Sequence, residues 1–225
     1  MIQAIFFDLD DTLLDFGKAE RVAVVKAFRQ VGLTPDEAFL REYSEINQAQ
    51  WRRMERGETT REALLVDRFD ILFRRHGIAV PGYVCEDYYR QYLAIGHYFI
   101  DGAEALLAAL APKYPLYLAS NGVAATQYSR LKSAGIGHYF QKIFISEDTG
   151  YHKPEKEYFQ YCFRAMGDPD PSTLLMVGDS LSSDILGGKN AGMQTCWFNP
   201  QHLTCPMDCK PDFEVHHLLE ISNIL

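Results

Sequence analysis

No stretch of this chain approaches the ~20 consecutive apolar residues that a membrane-spanning helix needs, so no membrane partner is expected. Basic residues are scarce as well: 22 Lys and Arg stand against 30 Asp and Glu, a formal net charge of -8. A protein that grips the nucleic-acid backbone needs surplus cations to displace counterions, which argues against a nucleic-acid polymer. An anionic ligand would have to be held locally, by a few cationic groups or a metal. The five cysteines (Cys85, Cys162, Cys196, Cys205 and Cys209) are odd in number and scattered. They do not read as a secreted disulfide framework, and a reduced compartment is the simpler expectation. Asp8 interrupts the first apolar run, and no basic segment precedes it, so nothing resembles a secretory leader. Repeats and low-complexity segments are missing too. A soluble, cytoplasmic protein is the expectation.

What the chain does have is an apolar run that ends in acids: Ile5-Phe6-Phe7-Asp8-Leu9-Asp10-Asp11-Thr12. Side chains two apart on an extended segment share a side, so Asp8 and Asp10 can project together from a strand's carboxyl end. Two carboxylates held close repel and invite a cation or a shared proton. Beyond Leu14 the pattern turns helical. Val24, Phe28 and Val31 precede Gly32; Phe39, Tyr43 and Ile46 follow Pro35 and Asp36; Leu65, Phe69, Leu72 and Phe73 precede Gly77; Tyr89, Tyr92 and Leu93 mark a fourth helix. No strand pattern interrupts residues 15–97, which read as an all-helical insertion.

From Phe99 the rhythm alternates. Helices are expected around Ala103–Leu110, from Ala124 to Gly135, around Tyr158–Phe163, and up to Gly192. Strands are expected at Pro115–Ser120, Lys142–Ser146 and Leu174–Val177, with Thr195–Phe198 as the last. Alternation of this kind implies crossovers and a mostly parallel sheet. The expected architecture is α/β: a Rossmann-like parallel sheet with helices on both faces, made from residues 1–14 and 98–225, interrupted by the helical insertion at 15–97.

Polar residues follow each expected strand. They are Asp8 and Asp10; Ser120-Asn121-Gly122; Glu147, Asp148 and then Lys153; and Gly178-Asp179-Ser180 with Asp184 beyond. Singly, these read equally well as turns, helix caps or a solvated lysine. Jointly they converge on the carboxyl edge of one sheet, where open parallel α/β sheets bind ligands.

Those motifs, in that order, resemble the haloacid dehalogenase superfamily of hydrolases, phosphatase branch, over essentially the whole chain. Two stretches, Ile145–Pro154 and Met176–Gly192, are similar to the pyrimidine 5′-nucleotidase group. The resemblance implies a Mg²⁺-dependent phosphomonoesterase working through an aspartyl-phosphate. Asp8 would be the nucleophile, Asp10 the proton shuttle and Lys153 the neutralising cation. Mg²⁺ would be held by Asp8, the Asp10 carbonyl and Asp179. Thr12, Ser120, Asn121 and Lys153 would hold the phosphate, and Asp184 would orient a metal-bound water or Lys153.

Dehalogenation releases a halide that needs no proton, so an acid at Asp10 points to phosphate chemistry. The expected substrate is a small phosphorylated metabolite, a pyrimidine nucleoside monophosphate. A sugar phosphate, phosphoglycolate or a phosphomutase reaction is the alternative, and a non-catalytic phospho-ligand binder the more distant one. The resemblance also makes the insertion a cap that supplies specificity, with Phe16, Asn47, Trp51 and Arg52 as candidates to face substrate. A monomer or small homo-oligomer is expected. His202, Cys205, Cys209, His216 and His217 match no strong zinc spacing and read as a loop, while Asp11 and His152 receive no role.

Overall fold

The structure, a computed structural model, describes residues 1–205 and 210–225. The chain divides into two compact units, Met1–Phe16 with His97–Leu225, and Gly17–Gly96.

The first unit is built on β1 (Ala4–Phe7). The helices of the second unit follow it: α1 (Phe16–Gln30, whose first residue still belongs to the first unit), α2 (Glu37–Glu55), α3 (Arg61–Arg75) and α4 (Gly82–Leu93). The chain then runs through α5 (Ala103–Leu110), β2 (Leu116–Ser120), α6 (Ala124–Ala134), β3 (Phe140–Ile145) and α7 (Ser146–Thr149). Next come α8 (Lys156–Met166), β4 (Leu174–Gly178), α9 (Leu186–Asn190), β5 (Gln194–Phe198) and β6 (Phe213–Val215). All pairings are parallel, in the order β3-β2-β1-β4-β5-β6. The order reverses between β1 and β4, and such switch points open the crevice where doubly wound sheets bind ligands.

Both faces of the sheet are buried, which is why its strands are nearly all apolar. The two-residue alternation of a strand divides β1 cleanly. Ile5 and Phe7 pack with α5, α6 and a terminal 3₁₀ segment (Leu218–Asn223), against Leu106, Leu107, Leu131 and Leu218. Ala4 and Phe6 face α8, packing on Tyr158, Phe159 and Cys162. Phe6 stacks on Tyr117 of β2 with centroids 5.2 Å apart, and Phe144 of β3 extends the stack at 6.2 Å from Tyr117. Each fully buried aromatic of this kind contributes about 1.5–3 kcal/mol.

Three details differ from the expected elements. The sheet carries a sixth strand, β6, paired from Cys196↔Phe213 to Phe198↔Val215. Ser146 begins α7 instead of ending β3. The helix expected before Gly192 opens as a π turn over Leu181–Ile185 before α9.

In the helical unit Phe28 is the hub. Its ring meets Phe39 at 5.1 Å, Tyr43 at 5.8 Å and Phe69 at 6.1 Å, all edge-on. Gly82 begins α4 because any Cβ there would sit 2.7 Å from the Val66 carbonyl of α3. Beneath the rings lies a polar chain. The Asn47 amide donates to Glu20 Oε1 (2.6 Å), Arg68 donates to Asn47 Oδ1 (2.8 Å) and Arg68 also donates to Glu86 Oε2 (2.6 Å). No helix among the described residues is long and apolar enough to cross a membrane.

Candidate active site

The segment leaving β1 turns at once. Leu13 and Leu14 both donate to the Leu9 carbonyl (3.0 and 2.9 Å), and these three leucines are buried. The turn thus anchors itself in the core and leaves Asp8 and Asp10 at the sheet edge. Asp11 completes it with φ +57°, a left-handed conformation that Asp tolerates better than most residues. Its carboxylate accepts from the Phe16 amide at 2.9 Å, so the residue without a role in the sequence caps the start of α1. The Asp8 amide continues the ladder by donating to Val177 (2.9 Å).

Lys153 ties three strands together. Its ammonium donates to Asp8 Oδ1 (2.6 Å), Asp184 Oδ1 (2.6 Å) and the Ala119 carbonyl at the end of β2 (2.7 Å). The residue is only 1% exposed, and its three N–H groups have three acceptors. Asn121 fixes the backbone beneath it: Lys153 N–H donates to Asn121 Oδ1 (2.9 Å), and the Asn121 amide donates back to the Lys153 carbonyl (2.8 Å). The Lys153–Pro154 peptide is cis. Asp184 reaches this lysine from within the wide π turn that follows Ser180, and it can do so because Gly178 has no side chain; a Cβ on Gly178 would collide with the Asp184 carboxylate. The second Asp184 oxygen accepts from the Ser180 amide (3.0 Å).

Asp179, at the end of β4, lies on the other side of Asp8. Its amide donates to the Thr12 hydroxyl (3.1 Å), which in turn donates to Asp179 Oδ1 (3.3 Å), and its carbonyl accepts from the Trp197 indole (2.8 Å). Carboxylate oxygens of Asp8, Asp179 and Asp184 all lie within 4.8 Å of one another, the one such trio among the described residues.

Three carboxylates sharing one ammonium leave an electrostatic deficit. Burial pushes the Asp8 carboxyl up to about 8 against the pull of Lys153, and Asp184 and Asp10 add to the rise. Burial, Asp184 and Asp8 hold Asp179 well above the ordinary carboxylate value. Burial draws the Lys153 ammonium down, but Asp184 and Asp8 outweigh it, and the group stays above its ordinary value. An all-oxygen set short of positive charge fits a hard divalent cation such as Mg²⁺.

Two residues that the sequence reading passed over complete the site. Asp10, whose side chain is 28% exposed, has both oxygens engaged from α6. Gln127 donates to Asp10 Oδ2 (2.7 Å), and the fully buried Arg130 donates to Asp10 Oδ1. The signal was present: two polar residues three apart on one helix face, directly behind Ser120-Asn121-Gly122.

The remaining candidates lie as follows. Phe16 is half-buried, with the Arg130 guanidinium 5.7 Å from its ring centre. Asn47, expected to face substrate, is 2% exposed and committed at both ends of its carboxamide to Glu20 and Arg68. Trp51 is half-buried and Arg52 exposed. His152 pairs with Glu155 (3.1 Å). His202 and His216 lie with ring centres 3.9 Å apart and tilted by 35°, His216 meets the Asn199 carbonyl, His217 meets Asp101, and Cys205 is a partly buried thiol. Cys209 lies outside the described residues.

A parallel sheet ordered this way, with a lysine-bridged aspartate cluster at its switch point, defines a doubly wound α/β protein with a ligand site at the carboxyl edge of its strands. The model of the haloacid dehalogenase-like hydrolases matches residues 2–192, and the chain belongs to that family. It is 39% identical to the HAD-hydrolase YfnB of Bacillus subtilis, whose magnesium-bound crystal structure superposes with a TM-score of 0.96, covering 100% of this chain and 98% of that one. The pyrimidine 5′-nucleotidase PynA of Streptococcus pneumoniae is 35% identical, over 98% of this chain and 94% of its own. The pyrimidine 5′-nucleotidase YjjG of Escherichia coli is 34% identical, over 98% and 96%.

Proposed function

We propose that the protein is a Mg²⁺-dependent phosphomonoesterase that hydrolyses pyrimidine nucleoside 5′-monophosphates through an aspartyl-phosphate on Asp8. The observation that carries this reading is the Lys153 ammonium, 2.6 Å from both Asp8 and Asp184, inside the aspartate trio. The two pyrimidine 5′-nucleotidases that match almost the whole chain support the substrate class.

Asp8 and Asp179, with the Asp10 carbonyl, would hold Mg²⁺, while Asp184 has both oxygens occupied by Lys153 and Ser180. The bound ion supplies positive charge that lets an anionic carboxylate approach an anionic phosphate. Lys153 takes one oxygen of Asp8, and the other attacks phosphorus. As the bond from phosphorus to the leaving oxygen breaks, Asp10 gives that oxygen its proton. Asp10 then takes a proton from water, whose oxygen joins phosphorus and releases the Asp8 carboxylate and inorganic phosphate. Proton transfer of this kind is worth ~10²–10⁴-fold. Ser120 accepts from Gly122 (3.1 Å) and Gln127 (2.8 Å); with both lone pairs engaged, its O–H is left to donate to a phosphoryl oxygen. The Asn121 backbone amide is assigned to the same phosphate, whereas Thr12, expected there from the sequence, is fully buried and gives its one O–H to Asp179. The helical unit is assigned specificity, and Phe16, Trp51 and Arg52 keep enough exposure to meet a ligand. Asn47 instead organises the helices around it.

A panel of phosphate esters, assayed with Mg²⁺ and with chelator for the wild type and Asp8→Asn, tests this reading. UMP or dTMP should lead the panel, and chelator or the substitution should abolish turnover. Equal activity in Asp8→Asn would remove the mechanism. Preference for a sugar phosphate or phosphoglycolate would move the substrate while keeping the chemistry.

A further inference from the structure

The two oxygens of Asp10 are held by one network on α6. Gln127 Nε2 donates to Asp10 Oδ2 (2.7 Å) and to Ser120 Oγ (2.8 Å), while Arg130 Nη1 donates to Asp10 Oδ1 and to Gln127 Oε1 (3.0 Å). The Arg130 bond fixes which end of the Gln127 carboxamide carries the donors. Both side chains are buried, at 2% and 0% exposure. Gly122 is part of the arrangement, since a Cβ there would lie 2.5 Å from Gln127 Nε2. Asp10 lies in the turn beyond β1 with its carboxylate part-exposed, and these donors hold both of its oxygens.

We propose that Gln127 and Arg130 are positioning residues for the proton transfers of Asp10: they fix its carboxylate against the leaving oxygen and then the attacking water, and Gln127 keeps Asp10 in register with Ser120. The assignment rests on the acid–base role given to Asp10 above. Misplacing a reacting group by about 1 Å can cost on the order of 10²-fold, so a clamp four residues long is worth building into the core.

The test compares p-nitrophenyl phosphate, whose leaving group departs without a proton, with whichever alkyl phosphate of the panel is turned over fastest. Wild type, Asp10→Asn, Gln127→Ala, Gly122→Ala, Arg130→Gln and Arg130→Lys are measured by stopped flow, with thermal melts alongside. On the alkyl phosphate, Gln127→Ala and Gly122→Ala should lower kcat about 10- to 100-fold while KM moves less than about threefold. On p-nitrophenyl phosphate they should release a burst of nitrophenolate and then turn over slowly, because only the water step still needs Asp10. Arg130→Lys should recover part of what Arg130→Gln loses. Should the arginine variants not fold, Gln127→Ala and Gly122→Ala carry the test. Equal losses on both substrates without a burst, or wild-type kinetics in Gln127→Ala and Gly122→Ala, would overturn the clamp. Full alkyl-phosphate turnover in Asp10→Asn would instead remove the acid–base role itself, and the clamp with it.

Discussion

Each unit of this protein buries a charged network, and the two are built to opposite ends. In the helical unit Arg68 lies between Glu86 and Asn47, with its guanidinium 4.5 Å from the centre of the Tyr89 ring. The Asn47 carboxamide separates Arg68 from Glu20, so the two carboxylates never converge. All four polar residues sit within helices, on α1, α2, α3 and α4. At the sheet edge, by contrast, Asp8, Asp179 and Asp184 crowd within 4.8 Å around a single lysine. They stand at strand ends and in the turns that follow, where a sheet meets its ligands. A buried ion pair by itself does not mark a site; converging like charges do, because folding alone would never favour them.

The contrast is broken or sharpened most forcefully by removing the cation from each network. Lys153→Met should lower kcat on the order of 10³-fold, the scale of losing one preorganised electrostatic partner, in a protein that still melts cooperatively. Arg68→Met should leave kcat per folded molecule near wild type but cost about 3–5 kcal/mol in urea unfolding, since Glu86 is stranded. Replacing Glu86 by Leu as well should recover most of that loss. A collapse of kcat in Arg68→Met to the level of Lys153→Met would erase the distinction between the networks.

A smaller effect separates them by ligand. At hundredfold excess over its Kd, Mg²⁺ should stabilise the wild type by about 2.7 kcal/mol through mass action, read as a rise in melting temperature. Asp179→Asn should lose that rise, because it takes away a carboxylate without a lysine bond of its own. Arg68→Met should keep it, starting from a lower melt. A rise of equal size in Asp179→Asn would move the ion away from the trio.

How much of this could be read from the chain differs between the same two regions. Asp8, Asp10, Lys153, Asp179 and Asp184 were legible because each follows an apolar strand, and parallel strands bring those ends to one edge. Gln127 and Arg130 were missed because helices normally point such residues to solvent, and only the fold shows that this face of α6 looks at Asp10. Asn47 misled for the converse reason. Tyr43, Ile46, Asn47 and Gln50 all lie on the buried stripe of α2, so its spacing was that of a core position while its chemistry suggested a ligand. The strand β6 is three residues long, too short for any alternation to show. The π turn at Leu181–Ile185 follows from where Asp184 must reach, a tertiary demand invisible to local periodicity.

The smallest effect asks whether the helical unit relies on charges in water at all. Asp36 caps α2, its carboxylate accepting from the Phe39 amide at 2.8 Å, and the next residue, Glu37, pairs with Arg21 at 2.5 Å. The cap answers an N–H that has no partner inside the helix, a need that salt does not remove. Both side chains of the Arg21–Glu37 pair are more than half exposed, where such pairs contribute about 0–1 kcal/mol and fade with salt. Asp36→Ala should therefore cost about 1 kcal/mol, undiminished when the unfolding is repeated in high salt, whereas Glu37→Ala should cost less and lose even that in salt. Neither change should alter kcat at the strand ends. A salt-sensitive Asp36→Ala, or a Glu37→Ala of equal cost, would mean that exposed charge stabilises these helices after all, and the contrast would then lie only in how the buried groups converge.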